Sequence, residues 1–345
     1  MHRLPIVAAS VALAVLAAQA SRLFAAEAGL ARCAAPARPV GAAYASLGAL
    51  LRLAPEAPAL AGARGQALLL LARAGEPDPA PLVARMALAD LRRALVFEPA
   101  GAPLWAAAAL AAATAGDAGA AEALAREAVR RAPAAPELAW VAARLARSAP
   151  ARRAAYRRVT ELAPELTPAV VSEAAPGRAW PEQAAFVAPS AEAYRAWAWS
   201  VSAPAGLAIA ARGLALAPAA DTAAAAWLAY YVALGLAPGD PAASLADFDR
   251  ALRVLGAEQA VHRNHGFALL KAGRAADAEA AFGASLRLYG DLANAAHLGL
   301  AEAQIAQGRR AEARPVLERL TRHPRVEAWV RREAGAALYR LEPAP

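Results

Sequence analysis

"HGFALLKAGRAADAEAAF" (residues 265–282) reads as two apolar helical faces interrupted once by "KAGRA". Glycine at 273 is the natural stop for the first helix, because it enters the left-handed conformation that closes a helix without a Cβ penalty. The second face then runs to Phe282 and beyond. The same arrangement is written again on either side. "DPAASLADFDRALRVLG" (240–256) aligns with "RAADAEAAFGASLRLYG" (274–290), so that Phe248 falls on Phe282, Ala251 on Ser285 and Gly256 on Gly290, each 34 residues apart. Gly239 and Gly273 keep that offset. "AQGRRAEARPVLERL" (306–320) repeats the pattern at 35 residues and places Gly308 on Gly273, Ala313 on Ala278 and Leu317 on Phe282. A hairpin this short cannot bury its apolar faces alone, so it must be stacked on copies of itself.

The period and its residue types resemble the tetratricopeptide repeat, a helix–turn–helix unit of about 34 residues. That family wants a bulky residue at position 4, small ones at 8, 20 and 27, an aromatic at 24 and proline at 32. In the unit starting at 259, these places hold His262, Gly266, Ala278, Ser285, Phe282 and, at the last, Gly290. Upstream, Trp105, Ala109, Ala121, Ala125, Ala128 and Pro133 keep the same spacing. Weaker units end at Pro55, Pro99, Pro164 and Pro218. The match is firm over 221–323 and around 103–133. Small residues at 8 and 20 let the helices of one hairpin approach, and the residue at 24 fills the gap to the next hairpin. The structural positions singled out on this basis are Trp105, Pro133, Phe248, Gly266, Gly273, Ala278 and Phe282.

The resemblance implies a ligand groove on the first helix of each hairpin, at positions 2, 5, 9 and 12. Carried over, these are Ala226, Ala229, Ala233 and Leu236; Ala260, Arg263, Phe267 and Leu270; and Ala295, Leu298, Glu302 and Ile305. The candidate partner-binding residues are therefore Arg263, Phe267, Leu270, Leu298, Glu302 and Ile305. They make a mostly apolar surface suited to an extended or helical peptide. Plain inter-helix packing is the competing reading for each of them. Phe267 at position 9 does not support the carboxylate clamp found in some members.

Composition agrees with an all-α chain. Of 345 residues 59% are hydrophobic, dominated by Ala and Leu, with three Ile (Ile6, Ile209, Ile305), and no convincing alternating strand is present. The predicted architecture is an α-solenoid of stacked antiparallel hairpins. The net charge of +8 invites a nucleic-acid reading. It is set aside because Lys271 is the single lysine and the arginines are scattered in pairs such as Arg92–Arg93, Arg130–Arg131 and Arg309–Arg310, interspersed with acids. Attraction to acidic surfaces or anionic lipid stays open.

The first 24 residues, "MHRLPIVAASVALAVLAAQASRLF", open with Arg3 and continue uncharged from Leu4 to Ala20. As a helix that run spans about 25 Å, less than the ~30 Å of a hydrocarbon core. Ala18-Gln19-Ala20 is a small-x-small cleavage site. A cleaved secretory signal and an uncleaved membrane anchor both fit, and both put the body outside the cytoplasm; Arg22, Arg32 and Arg38 weigh mildly against that orientation. Cys33 is the only cysteine, so no intramolecular disulfide forms.

Chemistry-bearing motifs are sparse. No phosphate-binding loop, nucleophile elbow or H-E-x-x-H is written. His262, His265 and His297 are read as packing residues in preference to metal ligands, and Glu161, Glu165, Asp247 and Asp249 as solvated or paired. Tyr194, Trp197, Trp199, Trp227, Tyr230 and Tyr231 are read as core first and contact surface second. No cofactor or metal is implied. Pro176, Pro181 and Pro189 break long helices between 172 and 194, and a short helix is expected over 181–187.

The expected organisation is a signal or anchor at 1–24, a helical array at 34–171, a Pro-rich joint at 172–190 and a second array at 191–345 with a closing helix over 325–343. The expected activity is non-catalytic: a scaffold or adaptor in the bacterial envelope, periplasmic or membrane-anchored, that binds protein partners and not nucleic acid. Polysaccharide assembly is a setting consistent with it. A chaperone-like accessory subunit of one exported enzyme is the alternative, and an enzyme with an unrecognised site a remote one.

Overall fold

The computed structural model describes residues 45, 46, 48, 49, 52, 57–73, 80–217, 222–290 and 293–341. The segment read as signal or anchor, Cys33 and the repeat ends at Pro55 and Pro218 lie outside them. Seventeen helices and no strand occur among the described residues. None of these helices is long and apolar enough to cross a membrane. The chain divides into two compact units between Leu162 and Ala163.

The first unit holds three antiparallel hairpins: α1 (Pro58–Arg73) with α2 (Ala80–Phe97), α3 (Ala102–Thr114) with α4 (Ala118–Arg131), and α5 (Pro136–Leu145) with α6 (Ala149–Leu162). Each is neighbour to the next, and α3 touches both α1 and α5, so first helices stack on first helices. Alanine dominates this core. Ala108, Ala109, Ala111 and Ala112 of α3 are wholly buried, as are Ala121, Ala125 and Ala128 of α4 to within 1%. Asp117 caps α4 by accepting from the Ala120 amide at 2.9 Å. Across the first hairpin Arg64 donates twice to the buried carboxylate of Asp90, at 2.5 and 2.6 Å.

The second unit begins with a 3-10 turn (Pro164–Leu166) and α7 (Thr167–Ala174). The short helix expected over 181–187 is a four-residue helix, α8 (Trp180–Gln183), followed by a 3-10 turn at Ala184–Phe186. The Pro-rich stretch lies inside this unit: Val187 and Ala188 join the core that holds Trp197 and Ile209. Four hairpins follow. They are α9 (Ala191–Ala198) with α10 (Ala205–Ala215), α11 (Ala223–Leu236) with α12 (Pro241–Val254), α13 (Gln259–Lys271) with α14 (Ala275–Tyr289), and α15 (Asn294–Ala306) with α16 (Arg310–Arg322). The closing helix α17 (Ala328–Leu341) packs on α16 and α15.

Of the glycines aligned by the repeat, Gly273 and Gly308 do what their spacing requires. Gly116, Gly273 and Gly308 have φ of 87°, 76° and 80°. At Gly273 the amide bonds to Leu270 O at 3.0 Å and the Arg274 amide to Leu269 O at 2.8 Å, the paired bonds of a Schellman cap, and Gly308 repeats them with Ile305 and Gln304. Gly239 departs from this: the Asp240 amide bonds instead to Leu236 O at 2.8 Å, and Asp240 then caps α12.

Phe282 is fully buried between two first helices. A Cβ added at Gly266 of α13 would lie 2.8 Å from its ring, and one at Gly299 of α15 would overlap the same ring. The aromatic thus occupies volume that glycine vacates on both sides. Phe248, also fully buried, meets a different neighbour: the His265 ring stacks on it with centroids 5.5 Å apart. At the turn between α15 and α16, Arg309 donates to Glu279 of α14 at 2.5 and 3.1 Å and Gln307 donates to it at 2.8 Å.

Candidate functional site

The first helices α11, α13 and α15 carry the residues proposed for partner contact. Ala226, Ala229, Ala233 and Ala295 are buried, because small side chains there let neighbouring helices close on one another. On α13, Arg263, Phe267 and Leu270 are half-buried. The Phe267 ring meets Phe282 edge-on with centroids 4.9 Å apart, so one end is anchored in the core and the other faces out. Leu270 lies against the same core. On α15, Glu302 and Ile305 are half-buried.

Leu298 is a correction to the predicted surface. It is 2% exposed and belongs to the core with Leu317 and Val330. The closing helix takes the place of a further first helix and covers it, so Leu298 offers a partner nothing. The same helix shapes the surroundings of Glu302. Burial raises the pKa of its carboxyl, Arg340 of α17 pulls it back down, and Glu333 pushes it up again.

One residue of this face, Asn264, was missed in the sequence, and its partner Tyr230 was read there within the aromatic set. Asn264 donates to the Tyr230 hydroxyl at 2.6 Å and ties α13 to α11. They stand 34 residues apart and hold the same place in successive hairpins, a relation the repeat alignment could have revealed. Burial is the main cause that raises the Tyr230 pKa, opposed by Asn264 and by the charge of Arg263. Arg263 itself donates to Asn264 at 3.3 Å.

The remaining candidates fall as follows. His262 bonds through Nε2 to Gly256 O at 2.9 Å, and His265 lies 3.6 Å from the Asp249 carboxylate. No group of His, Cys, Asp and Glu among the described residues is placed to hold a metal ion. Glu161 pairs with Arg158 at 2.9 Å on the surface, and burial raises the pKa of Asp247 against the charge of Arg250. Of the aromatic set, Tyr194, Trp197 and Tyr230 are buried, Trp227 and Tyr231 are half-buried, and Trp199 is 46% exposed with its ring 4.6 Å from that of Tyr231. Trp105 is half-buried. Its indole donates to Pro99 O at 2.9 Å, while Arg131 lies 4.4 Å over the ring and donates to the same carbonyl. Pro133, at the end of that hairpin, is exposed.

The tetratricopeptide repeat family model matches residues 269–329. That segment runs from the end of α13 to the start of α17. Among solved structures the chain is similar to PilW, a type IV pilus biogenesis factor, at 15% identity over 69% of this chain and 98% of PilW, with a TM-score of 0.37. It is similar to yeast Tom70 at 14% identity over 88% of this chain and 59% of Tom70, TM-score 0.34. It is also similar to the Cut9–Hcn1 assembly of the APC/C at 14% identity, 92% of this chain and 55% of that one, TM-score 0.39. No curated protein matches the chain.

Proposed function

We propose that this chain, with tetratricopeptide repeats over residues 269–329, is a non-catalytic protein-interaction scaffold. The observation that carries the reading is the row of half-buried Arg263, Phe267, Leu270, Glu302 and Ile305 on successive first helices, held at fixed spacing by a glycine-clasped core. A row of that kind presents apolar anchors with one cation and one acid, contacts suited to a peptide segment of another protein. Those side chains supply shape and charge in place of reacting groups. We place the protein outside the bacterial cytoplasmic membrane, on the strength of the uncharged run Leu4–Ala20 and the small-x-small site at its end. Envelope or polysaccharide assembly is the setting we favour; a chaperone-like role toward one exported enzyme is the alternative.

Affinity capture from envelope extract with the full chain tests the binding reading. Arg263→Ala with Phe267→Ala should lower recovery of a discrete partner while the thermal midpoint of the α-helical signal stays close to wild type. Undiminished recovery with both replaced removes the assignment of this face. Fractionation with intact mass decides the location, since a cytoplasmic chain that keeps residues 1–20 without membrane association contradicts it.

A further inference from the structure

The outer face of α2 differs from those of α4, α12, α14 and α16. Its buried residues Ala87, Leu91 and Ala94 correspond to Ala121, Ala125 and Ala128 of α4, to Ser244, Phe248 and Ala251 of α12, to Ala278, Phe282 and Ser285 of α14, and to Ala313, Leu317 and Leu320 of α16. Two residues past the third of these, α4, α12, α14 and α16 all expose arginine: Arg130, Arg253, Arg287 and Arg322. In α2 that place is Val96, 76% exposed. One residue before the first, the others carry Ala120, Ala243, Asp277 and Glu312, whereas α2 has Met86, 45% exposed. Leu82, at 49%, continues the line.

Leu82, Met86, Ala89, Arg93 and Val96 all face outward, and their spacing of 4, 3, 4 and 3 residues is the 3.5-residue repeat of a helix-pairing seam. We infer that this seam docks an acidic amphipathic helix from another protein. The charge pattern selects that occupant. Arg85, Arg92 and Arg93 are exposed along the seam, while the one carboxylate of α2, Asp90, is turned inward and bonded to Arg64. A second copy of α2 would bring three more arginines against these three, and like charges across a helix pair oppose association. A lipid surface wants a broad apolar face with charge at its edges; here the seam is one residue wide and Arg93 is one of its five members. A helix with leucines at its seam and glutamates beside them fits both features. The seam lies on a second helix of the first unit and is independent of the face assigned above.

The test uses the full chain and a synthetic 21-residue peptide with leucine at the seam positions and glutamate flanking them, read by fluorescence anisotropy. The glutamate peptide should bind, and its lysine counterpart should not. Met86→Gln with Val96→Gln, both exposed, should weaken binding at least tenfold while the circular-dichroism melting curve is retained. Arg85→Glu with Arg92→Glu should reverse the preference between the two peptides, and serves if the first variant fails to fold. Arg263→Ala with Phe267→Ala should leave peptide binding unchanged, which separates this inference from the first-helix reading. It is overturned by absence of peptide binding, by equal binding of the two peptides, or by binding that the seam variants leave intact. It is also overturned if, in place of the peptide, phosphatidylglycerol vesicles or a second copy of the chain occupies the seam, seen as co-sedimentation or dimerisation lost in the same variants.

Discussion

The hairpins α3–α4 and α13–α14 follow one plan with opposite materials. In α13–α14 a large ring, Phe282, is clasped by absent side chains at Gly266 and Gly299. In α3–α4 the same place holds Ala125, buried to within 1% in an alanine-rich hairpin, as are Ala109 and Ala121. Large against nothing and small against small both fill the space, but they do not distribute energy alike. The first concentrates it in one residue and its two complements. The second spreads it over many methyl groups, and its one large residue, Trp105, works from the flank by clasping Pro99 and Arg131.

The contrast can be broken experimentally. Phe282→Ala should cost about 3–5 kcal/mol, the usual range for deleting a buried aromatic, measured as the shift of the urea unfolding midpoint. A fully stable variant would mean that the ring is not the keystone. Gly299→Ala should cost about 1–3 kcal/mol through overpacking, and most of that penalty should vanish in a Phe282→Leu background; equal penalties in both backgrounds would deny that ring and glycine are coupled. Trp105→Ala should cost less, about 1–2 kcal/mol, from one hydrogen bond and one cation–π contact. If it matched Phe282→Ala in the same assay, the flank would matter as much as the core and the distinction would fall.

The smallest effect belongs to the Phe248 junction. Burial lowers the pKa of His265 from 6.5, against the pull of Asp249 and Asp277 and with the help of His262 and Arg274. A base that is held neutral in the fold gives its full contribution above the unfolded value, and loses it as the pH falls through the folded one. Relative to His265→Gln, the wild-type urea midpoint should therefore decline on acidification below pH 6.5. Parallel curves would show that His265 titrates alike in both states.

The 34-residue offset was enough to reveal the hairpins, the left-handed cap at Gly273 and the burial of Phe248 and Phe282, because each is enforced by the residue's own type: only glycine caps cheaply, and large rings go inside. Gly299 was not legible. A glycine in mid-helix reads as a local cost, and its purpose is set by a ring 17 residues away in another hairpin. Leu298 was misplaced for a similar reason. Position alone called it surface, and its burial depends on where the closing helix settles. The half-buried state of Phe267 mixes the two readings that the sequence left open, since its ring packs on Phe282 without being enclosed.

The Gly299 contact also limits how this array could be lengthened. Asn264 holds in α13 the place that Gly299 holds in α15. Were residues 259–293 copied in tandem, the first copy's Phe282 would press on an asparagine amide where it now meets only hydrogen. At the α12–α13 joint, where Asn264 already stands at that place, Phe248 packs on the His265 ring instead, so a tandem copy would exchange the glycine clasp for a joint of that second kind.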